Sequence, residues 1–162
     1  MTATASPTDR PEAPETVARR RAMALLARAR RDELAEAIAR RWPDHGARDL
    51  KPVETGLVML RGRIGGDGAR FNLGEATVTR AVVELAGGER GFAHILGRDG
   101  ETARLAAVAD ALWQRPSLRG DIETIVLAPI AERLAGEAAK ARAETAATRV
   151  EFFTLVRGED AA

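Results

Sequence analysis

The sequence predicts an α+β fold in which a mainly antiparallel sheet of three to five strands is flanked by helices within a single domain. Helix-forming Ala, Leu and Arg dominate both ends of the chain, whereas 11 of the 15 glycines lie between Gly56 and Gly100. Between those glycines, apolar residues alternate with polar ones, which is typical of strands. A chain of 162 residues is long enough to bury a sizeable core. We therefore expect a disordered tail at 1–15 and one folded domain over 16–162.

Composition excludes several classes of function. The chain has no cysteine, so disulfides, thiolate metal sites and thiol nucleophiles are impossible. The 25 basic and 24 acidic residues nearly cancel, which argues against a polyelectrolyte binder. No apolar stretch is long enough to cross a membrane, and the N-terminus lacks the layout of a secretion signal. We expect a cytoplasmic protein with no membrane contact.

Two helices are predicted before the sheet, at about 16–30 and 32–41, because the composition there favours helix. Asp32 is the predicted cap that separates them. Residues spaced four apart share a helix face. Three apolar residues of the second helix have this spacing: Leu34, Ile38 and Trp42.

Three strands follow in the glycine-rich middle, at 56–61, 76–85 and 92–96, with a hairpin loop at 86–90 between the last two. Side chains alternate between the two faces of a strand. In the second strand, this alternation gives one face with Thr77, Thr79 and Ala81, and an opposite face with Val78, Arg80 and Val82.

Helices return after the third strand. Asp99 is the predicted cap of a helix over 98–114, and Asp121 is the predicted cap of a further helix. Pro129 either kinks that helix or starts a new one. The last predicted elements are a helix at 131–147 and a strand at 150–156.

The glycine-rich stretch at 61–70 invites comparison with a phosphate-binding loop. No Gly-Lys-Ser/Thr follows it, so the lysine and the magnesium-binding hydroxyl of that motif are missing. What remains is a turn flanked by Arg61, Arg63 and Arg70. Two interpretations stay open: a surface hairpin loop, or an arginine-lined loop that meets phosphate or a partner's carboxylates.

Other titratable residues give weaker signals. Glu54 and Glu75 flank the glycine-rich stretch and could bind a metal or steer a nucleotide, although carboxylates at strand ends are common without function. His94 lies in a strand, where a lone histidine is usually packed and hydrogen-bonded, and His45 is expected to be exposed in a turn. The sequence therefore predicts no catalytic residue and no metal site in this chain.

A basic cluster in the first two helices suggests an alternative function. Between Arg19 and Arg41 there are eight arginines against Asp32, Glu33 and Glu36. A stand-alone, homo-oligomeric module could use these helices to hold nucleic acid. The arginines surround the helices and do not line one face, which favours a solvated surface instead.

The chain resembles one known family, in order from about Arg20 to the C-terminus, and four segments carry the resemblance. They are ETGLVMLRGRIGGDGARFNLGEATVTRAVVEL (54–85), GFAHILGRD (91–99), AAVADALWQ (106–114) and TRVEFFTLVRGED (148–160). These segments are similar to the PhnG family, a subunit of the bacterial carbon–phosphorus lyase system for phosphonate use. The residues that match the family's motifs are Glu54, Thr55, Gly56, Arg61, Arg63, Gly65, Gly66, Phe71, Gly74, Glu75, Thr77, Thr79, Arg80, Gly97, Arg98 and Asp99.

The resemblance implies an accessory subunit that assembles with PhnH-, PhnI- and PhnJ-like subunits, helped by an ATP-binding-cassette protein. Such an assembly uses MgATP as substrate and displaces adenine with a phosphonate, and its PhnI-like subunit carries the chemistry. No cofactor is expected on this chain, which could form a homodimer when isolated. The family often has Ala-Pro-Phe where this chain has Ala69-Arg70-Phe71, which loosens the turn. Candidate substrate- or partner-binding residues are Glu54, Arg61, Arg63, Glu75, Thr77, Thr79, Arg80 and Arg98.

Overall fold

The computed structural model describes residues 13–65 and 68–148 and confirms the predicted α+β class. Its helices are α1 (Pro14–Leu26), α2 (Arg31–Arg41), α3 (Gly100–Trp113), α4 (Pro116–Ile122) and α5 (Ala128–Ala147). Its strands are β1 (Arg48–Arg63), β2 (Arg70–Glu84) and β3 (Arg90–Leu96). A π-helical turn, Glu123–Leu127, lies between α4 and α5.

The three strands form one antiparallel sheet in the order β1-β2-β3. β3 is short and pairs with only the inner half of β2, where its last partner is Val78. β1 and β2 stay paired well beyond this point, as far as the pair between Arg63 and Arg70. Among the residues that the structure describes, no third strand lies beside the outer part of the hairpin, residues 57–63 and 70–77. We call this outer part the hairpin arm.

Helices cover one face of the sheet. The alternation predicted for β2 is confirmed, because Thr79 and Ala81 are buried on the covered face and Arg80 is exposed on the other. α3 packs on β3 and β2, and its approach is closest at Gly91. A Cβ at Gly91 would lie 1.8 Å from the carbonyl oxygen of Ala107, so only glycine fits beneath this helix.

β1 and β2 are both longer than predicted, because the predicted strands at 56–61 and 76–85 cover only the regular part of the hairpin. Before Glu54 the register between the strands shifts twice, and Pro52 lies within the second shift. Bulges and proline interrupt the two-residue alternation that sequence analysis depends on. Nearer the tip, the apolar run at 57–60 is exposed on both faces and does not alternate at all.

The first helix begins earlier and ends earlier than predicted, at Pro14 and Leu26. Proline is tolerated in the first turn of a helix, because the N–H that it lacks has no partner there. Pro14 and Glu15 therefore belong to α1 and not to the predicted tail. Of the rest of that tail, residues 1–12 lie outside the described residues.

Two of the three aspartates predicted as helix caps, Asp32 and Asp121, do not have that role. At the start of α2, the Glu33 carboxylate accepts a hydrogen bond from the Arg30 backbone N–H at 2.9 Å, whereas Asp32 lies within the first turn. Asp121 lies inside α4 and forms an ion pair with Arg41 at 2.7 Å. The third predicted cap, on α3, is confirmed below.

The described residues divide into two compact units, of which the first ends at Ala131 and the second begins at Glu132. The sheet and the helices up to the start of α5 lie in the first unit. Pro129 does not start a separate helix, because Ile122 and Ala128, on either side of the π-helical turn, both have helical φ and ψ, so the helix continues through the turn into α5. The described part of the second unit is the remainder of α5, where Arg133 and Glu137 form an ion pair one helical turn apart, at 3.1 Å. The predicted strand at 150–156 lies outside the described residues.

Candidate functional site

The hairpin arm exposes apolar side chains on both of its faces. Leu57 and Met59 lie on one face and Val58 and Leu60 on the other, and each is between 41% and 61% exposed. Phe71 and Leu73 on β2 are exposed as well. A contiguous apolar surface of this kind is costly in water and marks a place where another molecule binds. The arm is therefore the leading candidate for the functional part of the described surface.

Arginines are concentrated on one face of the arm's tip. Arg63 lies directly opposite Arg70, and Arg61 lies on the same face, opposite Asn72. Like charges directly opposite each other in a sheet are destabilising. None of these three arginines forms an ion pair with another residue in the described ranges. An anion from outside the chain would relieve this repulsion.

The opposite face of the tip is aromatic. Phe71 lies across from Gly62, and its ring is 3.5 Å from the position that a Gly62 Cβ would take. At this distance a Cβ at Gly62 would be in ordinary van der Waals contact with the ring, so the Phe71 ring lies over the Gly62 position. The tip thus has one cationic face and one apolar face.

Hydrogen bonds anchor the base of the arm to the folded core. The buried Thr79 hydroxyl donates to the Gly97 carbonyl oxygen at 2.7 Å and contacts the Thr55 hydroxyl at 3.0 Å. The Gly97 backbone N–H donates in turn to the Thr77 carbonyl oxygen at 2.8 Å. Gly97 has φ of +95°, which side-chain-bearing residues rarely adopt. Thr79 thus holds the third strand to the base of the arm and is not available to a ligand.

The two candidate carboxylates do not meet. Glu54 pairs with Arg80 at 3.2 Å on the open face of the sheet. Glu75 lies opposite Met59, five residue positions further along the hairpin and about 17 Å away at strand spacing. Arg98 is exposed in the bend between β3 and α3 and lies on neither strand of the hairpin. The structure therefore distributes the predicted residues along the arm and its base, with only Arg61 and Arg63 at the tip.

Both histidine expectations are wrong. His94 is exposed on the open face of the sheet, in register with Arg80, because its strand turns its other face to the helices. His45 is half-buried, and its Nδ1 accepts a hydrogen bond from the Ala47 N–H at 3.1 Å. Burial and the neighbouring Arg104 lower the pKa of His45. Neither imidazole lies beside a nucleophile in the described part of the chain.

Sequence analysis did not single out Asp110, a fully buried carboxylate on α3. It accepts two hydrogen bonds from the Arg19 guanidinium, at 3.0 and 2.7 Å, and a third from the Phe92 backbone N–H at 2.9 Å. The available signal was a single charge within the apolar run at 106–113. All of these partners come from the protein, so Asp110 fastens α1 and β3 to α3 and is not a site for a ligand.

Several arginines of the basic N-terminal helices form ion pairs within the protein. Besides Arg19, Arg31 pairs with Asp99 at 2.9 Å and with Glu101 at 3.1 Å. Arg41 likewise pairs with an aspartate of α4. Arginines that hold helices to one another leave less positive charge for a nucleic acid backbone. The arrangement does not favour the nucleic-acid alternative.

Other candidate sites offer less. A groove of about 520 Å³ between α1 and the π-helical turn is lined mainly by small and apolar residues. Within residues 13–65 and 68–148, no three side chains of the metal-binding types cluster. The described helices include none with the length and apolarity to cross a bilayer.

A projecting hairpin with bare apolar faces and a cationic tip defines a protein that acts through contact with other molecules. Comparison with known proteins is consistent with this class of protein. A family model described as phosphonate metabolism protein PhnG matches residues 17–158. The chain is 50% identical over 142 residues to the alpha-D-ribose 1-methylphosphonate 5-triphosphate synthase subunit PhnG of Rhizobium meliloti (strain 1021), which covers 88% of this chain and 90% of the relative. The chain belongs to the PhnG family, and the family resemblance is confirmed.

Proposed function

We propose that this chain is an accessory subunit of α-D-ribose 1-methylphosphonate 5-triphosphate synthase in phosphonate catabolism. The observation that carries the proposal is 50% identity, over most of both chains, to a protein named as a subunit of that synthase. In this reaction a phosphonate oxygen forms a bond to C1′ of the ATP ribose. The bond from C1′ to adenine breaks, and adenine leaves with the bonding electrons and takes up a proton.

The proposed setting is a cytoplasmic assembly with PhnH-, PhnI- and PhnJ-like subunits, served by an ATP-binding-cassette protein of the same system. MgATP is the substrate of the assembly, and this chain contributes no cofactor. The exposed apolar faces of the hairpin arm support a role as a subunit of a complex, because a free monomer would leave these faces exposed to water. In isolation, the same faces would favour homodimers.

The arginines of this chain contribute to binding the anionic substrates. A guanidinium presents a fork of N–H donors that matches phosphate oxygens. Arg61 and Arg63 are the strongest candidates, since they have no ionic partner in the described residues, whereas Arg80 is already held by Glu54. No residue of this chain is proposed as the nucleophile, acid or base.

Reconstitution tests the proposal directly. Purified PhnH-, PhnI- and PhnJ-like subunits and the ATP-binding-cassette protein are mixed with MgATP and methylphosphonate, with and without this chain, and adenine release is measured. We expect release only from the complete assembly and none from this chain alone. Adenine release by the isolated chain, or full activity in its absence, would overturn the accessory role.

A further inference from the structure

We propose that the hairpin arm docks as a whole into an apolar cleft of the triphosphate-binding subunit of the assembly and delivers its tip arginines to the bound triphosphate. The proposal rests on the proposed function, because it needs the chain to work inside that assembly. It adds a division of labour within the arm: the apolar faces supply docking, and the arginine face supplies substrate contact.

The geometry of the arm separates these two tasks. Leu57 to Leu60 lie near its base, with both faces bare, whereas Arg61, Arg63 and Arg70 lie at its far end on one face. A two-stranded ribbon that is apolar on both faces is fully removed from water only when a partner covers both faces, as a cleft does. The arginines beyond the apolar section would then reach the inner end of such a cleft.

The charge of the tip identifies what it meets there. Three arginines lie on one face of the arm. Glu75, on the same face, is the single carboxylate among the arm's described residues. A second copy paired arm to arm would bring the same arginines and would not neutralise this charge. A triphosphate is the most concentrated anion in the proposed reaction, and guanidinium groups supplied by a neighbouring subunit are an established way to stabilise one.

The hydrogen bonds at the base of the arm suit this use. Thr79 joins β2 to the Gly97 carbonyl oxygen and contacts Thr55 of β1 at the point where the third strand ends. These contacts fix the direction in which the arm leaves the core. A docking element held at its base loses less conformational entropy when it binds.

The docking half is tested by binding of the full-length chain to the assembly of the other subunits. Two double variants place charge on opposite faces of the arm, Leu57→Glu with Met59→Glu and Val58→Glu with Leu60→Glu. The control is Val17→Glu on α1, where the side chain is 51% exposed, as at Met59. We expect each double variant to raise Kd at least tenfold and the control to stay within twofold. Arm variants that bind within twofold of the parent, or a control that loses as much as they do, would overturn the docking role.

The substrate half is tested by the triple variant Arg61→Ala, Arg63→Ala and Arg70→Ala. We expect it to join the assembly with a Kd within twofold of the parent, while the completed assembly binds MgATP at least tenfold more weakly in equilibrium dialysis. If the variant instead weakens assembly and leaves MgATP binding unchanged, the arginines meet the partner and not the triphosphate, and this half is wrong.

These outcomes separate the inference from the proposed function. If the parent chain does not bind the other subunits at all, both fail together. If the parent binds and supports adenine release but neither set of arm variants has an effect, the proposed function stands and the role of the arm is refuted. Self-association of the parent that is lost in the apolar variants, without any loss of subunit binding, would assign the arm to a homodimer instead.

Discussion

The Arg19 guanidinium and the Asp110 carboxylate form a two-pronged ion pair, with the Nε–H and an Nη2–H donating at 3.0 and 2.7 Å. Asp110 is fully buried, whereas the Arg19 side chain is 29% exposed. The hydrogen bonds to Asp110 raise the pKa of Arg19. Because Asp110 also accepts the Phe92 N–H of β3, this one carboxylate joins the first helix, the sheet and α3, from which the arm is supported.

Arg19→Leu is predicted to destabilise the protein by about 3 kcal/mol, because it leaves a buried carboxylate without its cation. The measurement is urea unfolding followed by circular dichroism. Arg21→Leu on the same helix is the control, since Arg21 is exposed, and it should change the free energy of unfolding by under about 0.5 kcal/mol. Equal effects of the two substitutions would show that the buried pair adds no stability.

Gly91→Ala is predicted to destabilise the protein by about 3 kcal/mol or more, because the new Cβ would overlap the backbone of α3. The atoms in the way are the Ala107 carbonyl oxygen at 1.8 Å and the Ala111 nitrogen at 2.7 Å. Gly56→Ala is the matched control in β1, where nothing lies within 4 Å of the new Cβ. Thermal unfolding should show a large loss only for Gly91→Ala, and a Tm near that of the parent would refute the close packing of α3 on β3.

Thr79→Val is predicted to destabilise the protein by about 1–2 kcal/mol, since it removes the hydroxyl that bonds the Gly97 carbonyl oxygen. It should also speed hydrogen exchange at the Gly97 and Thr77 amides, where the third strand ends. Thr77→Val, on the same strand face but without a hydrogen bond from its hydroxyl in the described residues, is the control. If both variants unfold at the same urea concentration, the hydroxyl does not anchor the arm.

Stability should fall in acid partly through Asp99, the cap of α3. Its carboxylate accepts hydrogen bonds from the Thr102 backbone N–H at 3.0 Å and from the Thr102 hydroxyl at 2.8 Å. These bonds, with that from Arg31, hold the pKa of Asp99 below its ordinary value. A lowered pKa in the folded state gives stability that is complete above the unfolded pKa, about 4, and is lost as pH falls through the folded value.

Asp99→Ala should therefore destabilise the protein by about 1 kcal/mol at pH 7, and the difference should shrink towards zero near pH 2. Urea unfolding of both proteins across this range is the measurement. Asp44→Ala, in an exposed turn, is the control and should be neutral throughout. A difference between Asp99→Ala and the parent that stays constant with pH would contradict the role of the charged cap.

Much of the fold could be predicted, because residues close together in the sequence specify several of its elements. The cap at Asp99 is confirmed, since an aspartate before an apolar helix has a definite local partner in Thr102. The faces of β2 are confirmed, because only one side of that strand is buried. The cap predicted at Asp32 is wrong, because the carboxylate that accepts the backbone N–H at the start of α2 is that of Glu33, one residue further on.

The candidate site was only partly predictable, because the pairing between strands decides which of its residues lie together. The sequence placed Arg61, Arg63 and Arg70 around one turn, but only the register shows that the three lie on one face. Glu54 and Glu75 looked like a pair along the sequence and lie about 17 Å apart in the hairpin. Asp110 was missed because its partners lie far along the chain, on α1 and β3.

Purification at native level from cells grown on methylphosphonate tests most directly whether this chain works as a subunit of the synthase. The tagged chain is eluted and its companions are quantified by mass spectrometry. We predict recovery of PhnH-, PhnI- and PhnJ-like subunits in fixed stoichiometry, retained in high salt. Recovery of the chain alone, or with nucleic acid that salt removes, would contradict it.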